Sequence, residues 1–346
     1  MNEENLPQPL PMTREKPSLA KRLVTTGLKI AFAVGLIYWL VQKGALDFGS
    51  LRAIATLPLI SAAVACVFAQ IFVNNYRWLT LMRAQGFESS IRRTMPLSLI
   101  GMFFNFAMPG GVGGDVIKGY YLLQQLPNQR AQQKIAAALS IFMDRMVGFF
   151  VMIATAFFAL FLNWSEVSES PQLRSIAFGV TSLFVGFLVF FALSFSTILS
   201  RPPLSTLLFE KLPGGSRLKE LYQVLHSYRH NPSALCVAVV MSVINQMLMV
   251  TFVAMVGNAL GLGSEISLPV YFFLVPIGTV VQALPISPAG IGVGQAAFFF
   301  LFNLHLHTES PIGPVAVTAM QLTNFFWGLF GAYFYLRRTQ VPAHAN

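Results

Sequence analysis

Charge is what this sequence has least of. Only 10% of its 346 residues are Asp, Glu, Lys or Arg, against roughly 25% in a soluble domain. The deficit is steepest in acids, 13 against 23 bases. So few charges cannot coat a water-facing surface around a chain that is 55% apolar, which excludes soluble enzymes, disordered tails and fibrous proteins. Cysteine is scarce too. Cys66 and Cys236 lie far apart, each inside an apolar run, so no disulfide framework is indicated and neither reports a redox compartment. Catalytic and cofactor signatures are also missing. There is no GxxxxGK[ST], no HExxH, no Ser-His-Asp set and no zinc constellation. The Gly-rich run follows no β-strand, so neither nucleotide fingerprint applies. His226 and His230 have the i,i+4 spacing of a metal pair but no third ligand, and are expected on a solvated helix face. Neither a cofactor nor a metal is expected, and no enzyme motif is found.

What is abundant is long apolar sequence, with a mean hydropathy of +0.63. The runs are long enough for α-helical spans rather than barrel strands, so the expected class is an all-α polytopic membrane protein. A polar, proline-rich tail (1–22) ends in Lys21-Arg22. It leads into Leu23–Val41, 19 residues or about 28 Å of helix. With no small-x-small site after it, this run reads as a retained span rather than a cleaved signal; Lys29 near its end snorkels. Further spans read as Leu57–Met82, Ile135–Leu162, Ile176–Leu199, Ala234–Leu262 and Val315–Leu336. Between them, 95–126 and 269–306 each hold two apolar stretches around a Pro/Gly-rich break, too short to cross singly. They read as re-entrant hairpins.

The net charge of +10 reports topology before it suggests nucleic acid, and no nucleic-acid partner is expected. With the N-terminus inside, 17 bases fall on cytoplasmic segments, Arg77, Arg83, Arg92 and Arg93 among them, and three (Lys43, Arg52, Arg174) outside. That asymmetry is the one expected for six spans plus two hairpins that return to the side they entered, with both termini cytoplasmic. Four segments follow: the tail 1–22; membrane repeat 23–162; membrane repeat 163–336, whose cytoplasmic loop 200–233 holds an interfacial amphipathic helix (Leu218, Leu221, Tyr222, Leu225, Tyr228); and the tail 337–346.

The repeat rests on two matching breaks. Pro109-Gly110-Gly111-Val112-Gly113-Gly114-Asp115 aligns with Pro288-Ala289-Gly290-Ile291-Gly292-Val293-Gly294, then Gln295, at an offset of 179 residues. Three crossings per half is odd, which makes the repeat inverted, as in many secondary transporters. Irregular backbone in a membrane survives only when buried in protein or lining a wet cavity. Each break also opens a helix whose first N–H groups suit a phosphate or carboxylate; equally, Asp115 can cap its own helix. Asp144-Arg145 falls near the middle of its span, where ionisable side chains face the protein interior. Adjacent residues cannot pair locally, and Asp115 and Lys118 are the available partners. These four charges sum to zero, so a structural network and a ligand site are both open. In the second, Arg145 and Lys118 hold a lipid phosphate while Asp115 and Asp144 orient them. Asn105 and Ser287, beside the breaks, join Gly110, Gly111, Gly113, Gly114, Gly290, Gly292 and Gln295 as candidate ligand contacts. Asn74, Asn75, Asn245, Gln246 and Asn258 are expected to join helices.

The combination Pro109-x2-Val-Gly-Gly-Asp115-x2-Lys118-x-Tyr-Tyr, Asp144-Arg145-x2-Gly148 and Leu284-Pro-Ile-Ser-Pro-x-Gly-Ile-Gly292 resembles the lysylphosphatidylglycerol synthase transmembrane-region family. The resemblance covers residues 20–336 and implies a lipid translocator of the bacterial inner membrane, with the hairpins and the Asp-Arg pair as its site. Its partners would be a membrane lipid with a phosphate-containing headgroup and lipid-biosynthesis enzymes. The family commonly carries arginine where Lys118 stands, which loses bidentate phosphate geometry here, and glutamate where Gln295 stands. The aminoacyl-transferase domain of its larger members is not in this sequence, so synthesis of lysylphosphatidylglycerol is not expected. Readings from other classes are an intramembrane lipid-linked sugar or headgroup transferase using Asp115 and Asp144, and an accessory membrane subunit.

Overall fold

Helix is the only regular structure among the described residues of the computed structural model, which are 52, 54–107, 113–124, 131–197, 201, 215–262, 265–284, 289–308, 310 and 312–338. The tail 1–22, the run Leu23–Val41, most of 200–214 and residues 339–346 lie outside them. Eleven α-helices are described: α1 Leu57–Ala84, α2 Ile91–Ala107, α3 Gly113–Gln124, α4 Ala131–Leu162, α5 Trp164–Glu169, α6 Pro171–Phe195, α7 Gly215–Ser227, α8 Pro232–Ala259, α9 Leu268–Gln282, α10 Val293–Leu306 and α11 Ile312–Arg338. Five of them (α1, α4, α6, α8, α11) are long and apolar enough to cross a membrane. The chain is therefore an all-α, multi-pass membrane protein.

Helix starts follow local chemistry. α1, α6, α8 and α9 each carry proline in the first turn, where its missing N–H is not needed. Ser170 caps α6 by accepting from the Leu173 N–H, so this helix begins at Pro171 rather than at the expected Ile176, and ends at Phe195 rather than Leu199. The separate turn α5 has no counterpart in the sequence reading; its Trp-Ser-Glu-Val-Ser-Glu run is too short for a hydrophobic period to show.

Both broken regions fold back on themselves. In the first, Gly101 of α2 lies against Gly114 and the Lys118 Cβ of α3. In the second, Gly278 of α9 lies against Phe298 of α10, and Gln282 against Gly290 and Gly294. At 12 to 17 residues each, these four helices are short for a bilayer, which takes about 20.

The longer helices pack by small residues and polar bridges, as expected where lipid offers no hydrophobic drive. α1 and α8 are antiparallel. The Cys66 thiol donates to the Leu248 carbonyl (3.3 Å), the Asn74 amide to Asn245 (2.9 Å) and Arg77 to Ser242 (2.9 Å). α11 runs antiparallel to α2, with Gly331 against Leu99, Gly328 against Phe103 and Phe325 edge-on to Phe106. The packing has a pattern: α2 meets α11 as α9 meets α4, α2 meets α3 as α9 meets α10, and α3 meets α4 as α10 meets α11. α6 leans on α4 through phenylalanines, Phe157 stacking on Phe184 at 4.3 Å. Its outer residues, such as Phe178 and Leu183, are exposed, as a lipid-facing surface requires.

The amphipathic helix expected in the 200–233 loop is α7. It docks on the bundle instead of lying free: Tyr222 donates to the Ser196 carbonyl and His226 contacts the Ser194 carbonyl (3.1 Å). The solvated face expected for His226 is thus a helix junction. Beyond it Tyr228 is buried; burial pushes its phenol up, and the neutral hydroxyl donates to the Leu81 carbonyl (3.2 Å).

Candidate functional site

α1, α2, α3, α4, α8, α9 and α11 line an open cavity of about 470 Å³, with Ala289 and Gly290 of the second break also on its wall. The charged side chains lining it are Arg77, Asp115, Lys118, Asp144 and Arg145. Asp144 sits well inside α4, about 20 Å along a helix of 32 residues. A charge at that depth needs a partner or a function.

The nearest partner differs from the expected one. Arg77 of α1, counted from the sequence as a cytoplasmic topology marker, is buried and grips Asp144. Its Nε donates to Oδ1 (2.7 Å) and its Nη2 to Oδ2 (3.2 Å), the two-pronged geometry that suits a guanidinium to a carboxylate. Its third arm, Nη1, donates to Ser242 of α8, whose hydroxyl passes the bond to the Ala238 carbonyl (2.8 Å). Gly148 makes room for this: a Cβ there would stand 3.0 Å from Nη1. A signal for Arg77 existed. Gln70, Asn74 and Arg77 repeat at i, i+4, i+7, a polar stripe on one face of an otherwise apolar helix.

Arg145 pairs with Asp115, Nε donating to Oδ2, as the sequence anticipated. Asp115 also stands in the first turn of α3, where the positive helix end favours it. Lys118, one turn on, is buried beside both pairs. Among the described residues it has no carboxylate within 4 Å; its ammonium lies over the Trp78 ring, 3.6 Å from the centroid. That contact favours the cation without neutralising it. Trp78 is held by its indole N–H, which donates to Ser140 (3.2 Å). The four-charge sum of zero therefore becomes five charges, three cations and two carboxylates. Each carboxylate is engaged by an arginine.

Asn105 ties the two breaks together. Its side-chain oxygen accepts from the Gly114 N–H (2.9 Å), and its backbone carbonyl accepts from the Ala289 N–H (3.1 Å). Gly114 itself packs on Gly101, where any Cβ would collide with the Gly101 carbonyl; Gly113 is buried beside it. Neither lines the cavity. At the second break Gly290 lines it with φ +68°, and exposed Gly292 adopts φ +81°, left-handed backbone that glycine takes without cost. Gln295 does not reach the cavity. Its side-chain oxygen accepts from the Gly292 N–H (2.8 Å), capping α10, while its side-chain nitrogen donates to Gln321 (2.8 Å) and Thr318 (3.3 Å). Gln321, which does line the cavity, donates in turn to the Ala289 carbonyl (3.3 Å). The N–H groups of Gly114 and Gly292, expected to point at a ligand, are thus taken internally. Gly110, Gly111 and Ser287 lie outside the described residues. Asn74 and Asn245 join helices as expected, and both also line the cavity. No group of three His, Cys, Asp or Glu side chains among the described residues is arranged for a metal.

An all-α membrane bundle with a charged cavity lined by two short hairpins and the spans beside them defines the class of protein. The particular family follows from comparison with family models. The chain belongs to the family described as the lysylphosphatidylglycerol synthase TM region, whose model matches residues 27–331. Membership connects it to membrane lipids. Searches of curated proteins and of solved structures gave no match.

Proposed function

We propose that the protein is a lipid translocator, moving a lipid with an anionic phosphate headgroup between leaflets. The observation that carries this reading is Lys118. It is a buried cation with no carboxylate partner among the described residues, in a cavity whose described charges sum to one positive. A phosphate oxygen supplies the missing anion, and a charge-assisted hydrogen bond to it is stronger than a neutral one. Arg145, partly exposed on the cavity wall and paired with Asp115, provides a second contact, while Arg77 is held by Asp144 and Ser242 and serves to position α4. The headgroup takes the polar path while the acyl chains stay in the bilayer. A transferase reading is less well supported, since Asp115 and Asp144 are both engaged by arginines instead of standing ready as a base.

The proposed architecture is an inverted repeat, 23–162 and 163–336, with six spans, two re-entrant hairpins and both termini cytoplasmic, in a bacterial inner membrane. Two features support the repeat: α1 and α8, equivalent in the two halves, are antiparallel, and the contacts among α1–α4 and α8–α11 map onto themselves when the halves are exchanged. The function is tested by reconstitution. Vesicles containing the protein should equilibrate a tail-labelled anionic phospholipid between leaflets faster than protein-free vesicles; no exchange of any phosphate lipid would overturn the proposal.

A further inference from the structure

Exchanging the two halves carries α1, α2, α3 and α4 onto α8, α9, α10 and α11, and each packing contact among these eight helices has its counterpart. The packing of α6 on α4 has none. α11, the counterpart of α4, packs on α1, α2, α8 and α10, and no described helix takes the place on it that α6 takes on α4. The face left over is apolar: Phe326, Leu329, Phe330 and Tyr333, at i, i+3, i+4 and i+7 on one side of α11, are 43–54% exposed. The 179-residue offset of the two breaks puts Leu329 at the position of Phe150. The Phe150 ring lies against Phe184, Phe187 and Phe191 of α6, with centroids 6.0, 6.3 and 5.3 Å away.

α6 opens the second half's set of spans; in the first half that place belongs to the run Leu23–Val41, which lies outside the described residues. We infer that this run docks antiparallel on the open face of α11, its small residues seated on Phe326, Leu329, Phe330 and Tyr333. The inference rests on the inverted repeat proposed above and names the segment that completes it. Gly27, Ala31 and Gly35 put one small residue per turn on one side of a helix, the pattern that lets a bulky neighbour approach closely in a membrane. Depth agrees as well. Gly27, Ala31 and Gly35 stand 5, 9 and 13 residues in from Arg22, and Tyr333, Leu329 and Phe326 stand 4, 8 and 11 in from Arg337. At helical rise the three levels match to within about 3 Å. The connection is short: 42–56 leads into α1, which is pinned to α11 where the Trp327 indole N–H donates to the Val64 carbonyl (3.1 Å).

The test cross-links cysteine pairs in the full chain, with Cys66 and Cys236 replaced, in membranes treated with a short bifunctional thiol reagent. A protease site introduced in 202–214 and cut afterwards separates the two parts of the chain unless a link joins them. Gly27→Cys with Tyr333→Cys, Ala31→Cys with Leu329→Cys, and Gly35→Cys with Phe326→Cys should keep most of the chain in one piece. So should the control pair Asn74→Cys with Asn245→Cys, whose side chains are in contact at 2.9 Å. Ala33→Cys, on the opposite side of the run, should lose the link to Leu329→Cys. Linking through Ala33 as strong as through Ala31, or no link in the three pairs while the control links, would overturn the inference; so would dimers formed through Leu329→Cys alone, which would put a second copy on this face. The repeat is read separately: an impermeant thiol reagent should reach Lys16→Cys from one side of the membrane and Lys43→Cys from the other. Reaction of both from the same side would overturn the repeat, whereas opposite sides without the cross-links would overturn the docking alone.

Discussion

Replacing Arg77 by Met retains the aliphatic stem and removes the guanidinium from a buried pair. Its side chain is 9% exposed and that of Asp144 12%, so water from the cavity replaces the guanidinium only in part. Asp144 loses both bonds, at 2.7 and 3.2 Å. Ser242 keeps its own bond to the Ala238 carbonyl, so the cost falls almost wholly on the stranded charge. Breaking one side of a buried pair costs about 3–5 kcal/mol. Equilibrium unfolding of purified protein in detergent should show that loss for R77M, and a comparable one for D144L, which strands the guanidinium instead. The double variant R77M/D144L should recover to within about 1–2 kcal/mol of wild type, because exchanging a whole buried pair for apolar groups is close to neutral. The cycle then returns a coupling energy of at least about 4 kcal/mol. An R77M loss below about 1 kcal/mol, or losses that simply add, would refute the burial of Arg77 against Asp144.

Glycine positions offer a sharper contrast within one helix. G114A should destabilise by about 1–3 kcal/mol by forcing α2 from α3, whereas G119A, where a Cβ meets nothing nearer than the Ile141 Cδ1 at 3.5 Å, should be neutral or slightly stabilising in the same unfolding assay. G148A pushes on the Arg77 guanidinium and should cost about 1 kcal/mol while lowering the exchange rate. Topology is open to labelling: Gln85 and Ser227 are hydrogen-bonded (3.0 Å), so cysteines placed at Glu88 and Arg229 in a cysteine-free background should react with an impermeant thiol reagent from one side, and a cysteine at Arg174 from the other.

Much of this architecture was readable in advance because it depends on length and punctuation. Five spans, two broken regions and the α7 segment follow from apolar run lengths and from Pro and Gly, which act locally. The Asp115–Arg145 pair was legible for a similar reason: few charges occur in apolar sequence, and they must find each other. Arg77 was not legible in that way. Counting bases near span ends treats each as solvated, yet α1 runs on to Ala84 and carries Arg77 about two turns inside. Only the polar stripe it shares with Gln70 and Asn74 marks it as interior. Gln295 shows the opposite limit. Its position after a Gly motif suggested ligand contact, but a Gln at the third position of a helix can also cap it, and spacing alone does not separate the two. Asn75, Gln246 and Gln282, which also line the cavity, come from three helices far apart in sequence, so only folding brings them together.

The central claim stands on one ammonium group, and one measurement addresses it. Leaflet exchange of phosphatidylglycerol should be compared in vesicles carrying wild type, K118R and K118M, each checked for wild-type unfolding behaviour. A charge-assisted bond to phosphate is worth about 1.5–3 kcal/mol, so K118M should slow exchange by roughly ten-fold or more, while K118R, which keeps the charge over Trp78, should retain most of it. A folded K118M protein exchanging lipid at the wild-type rate would contradict the account.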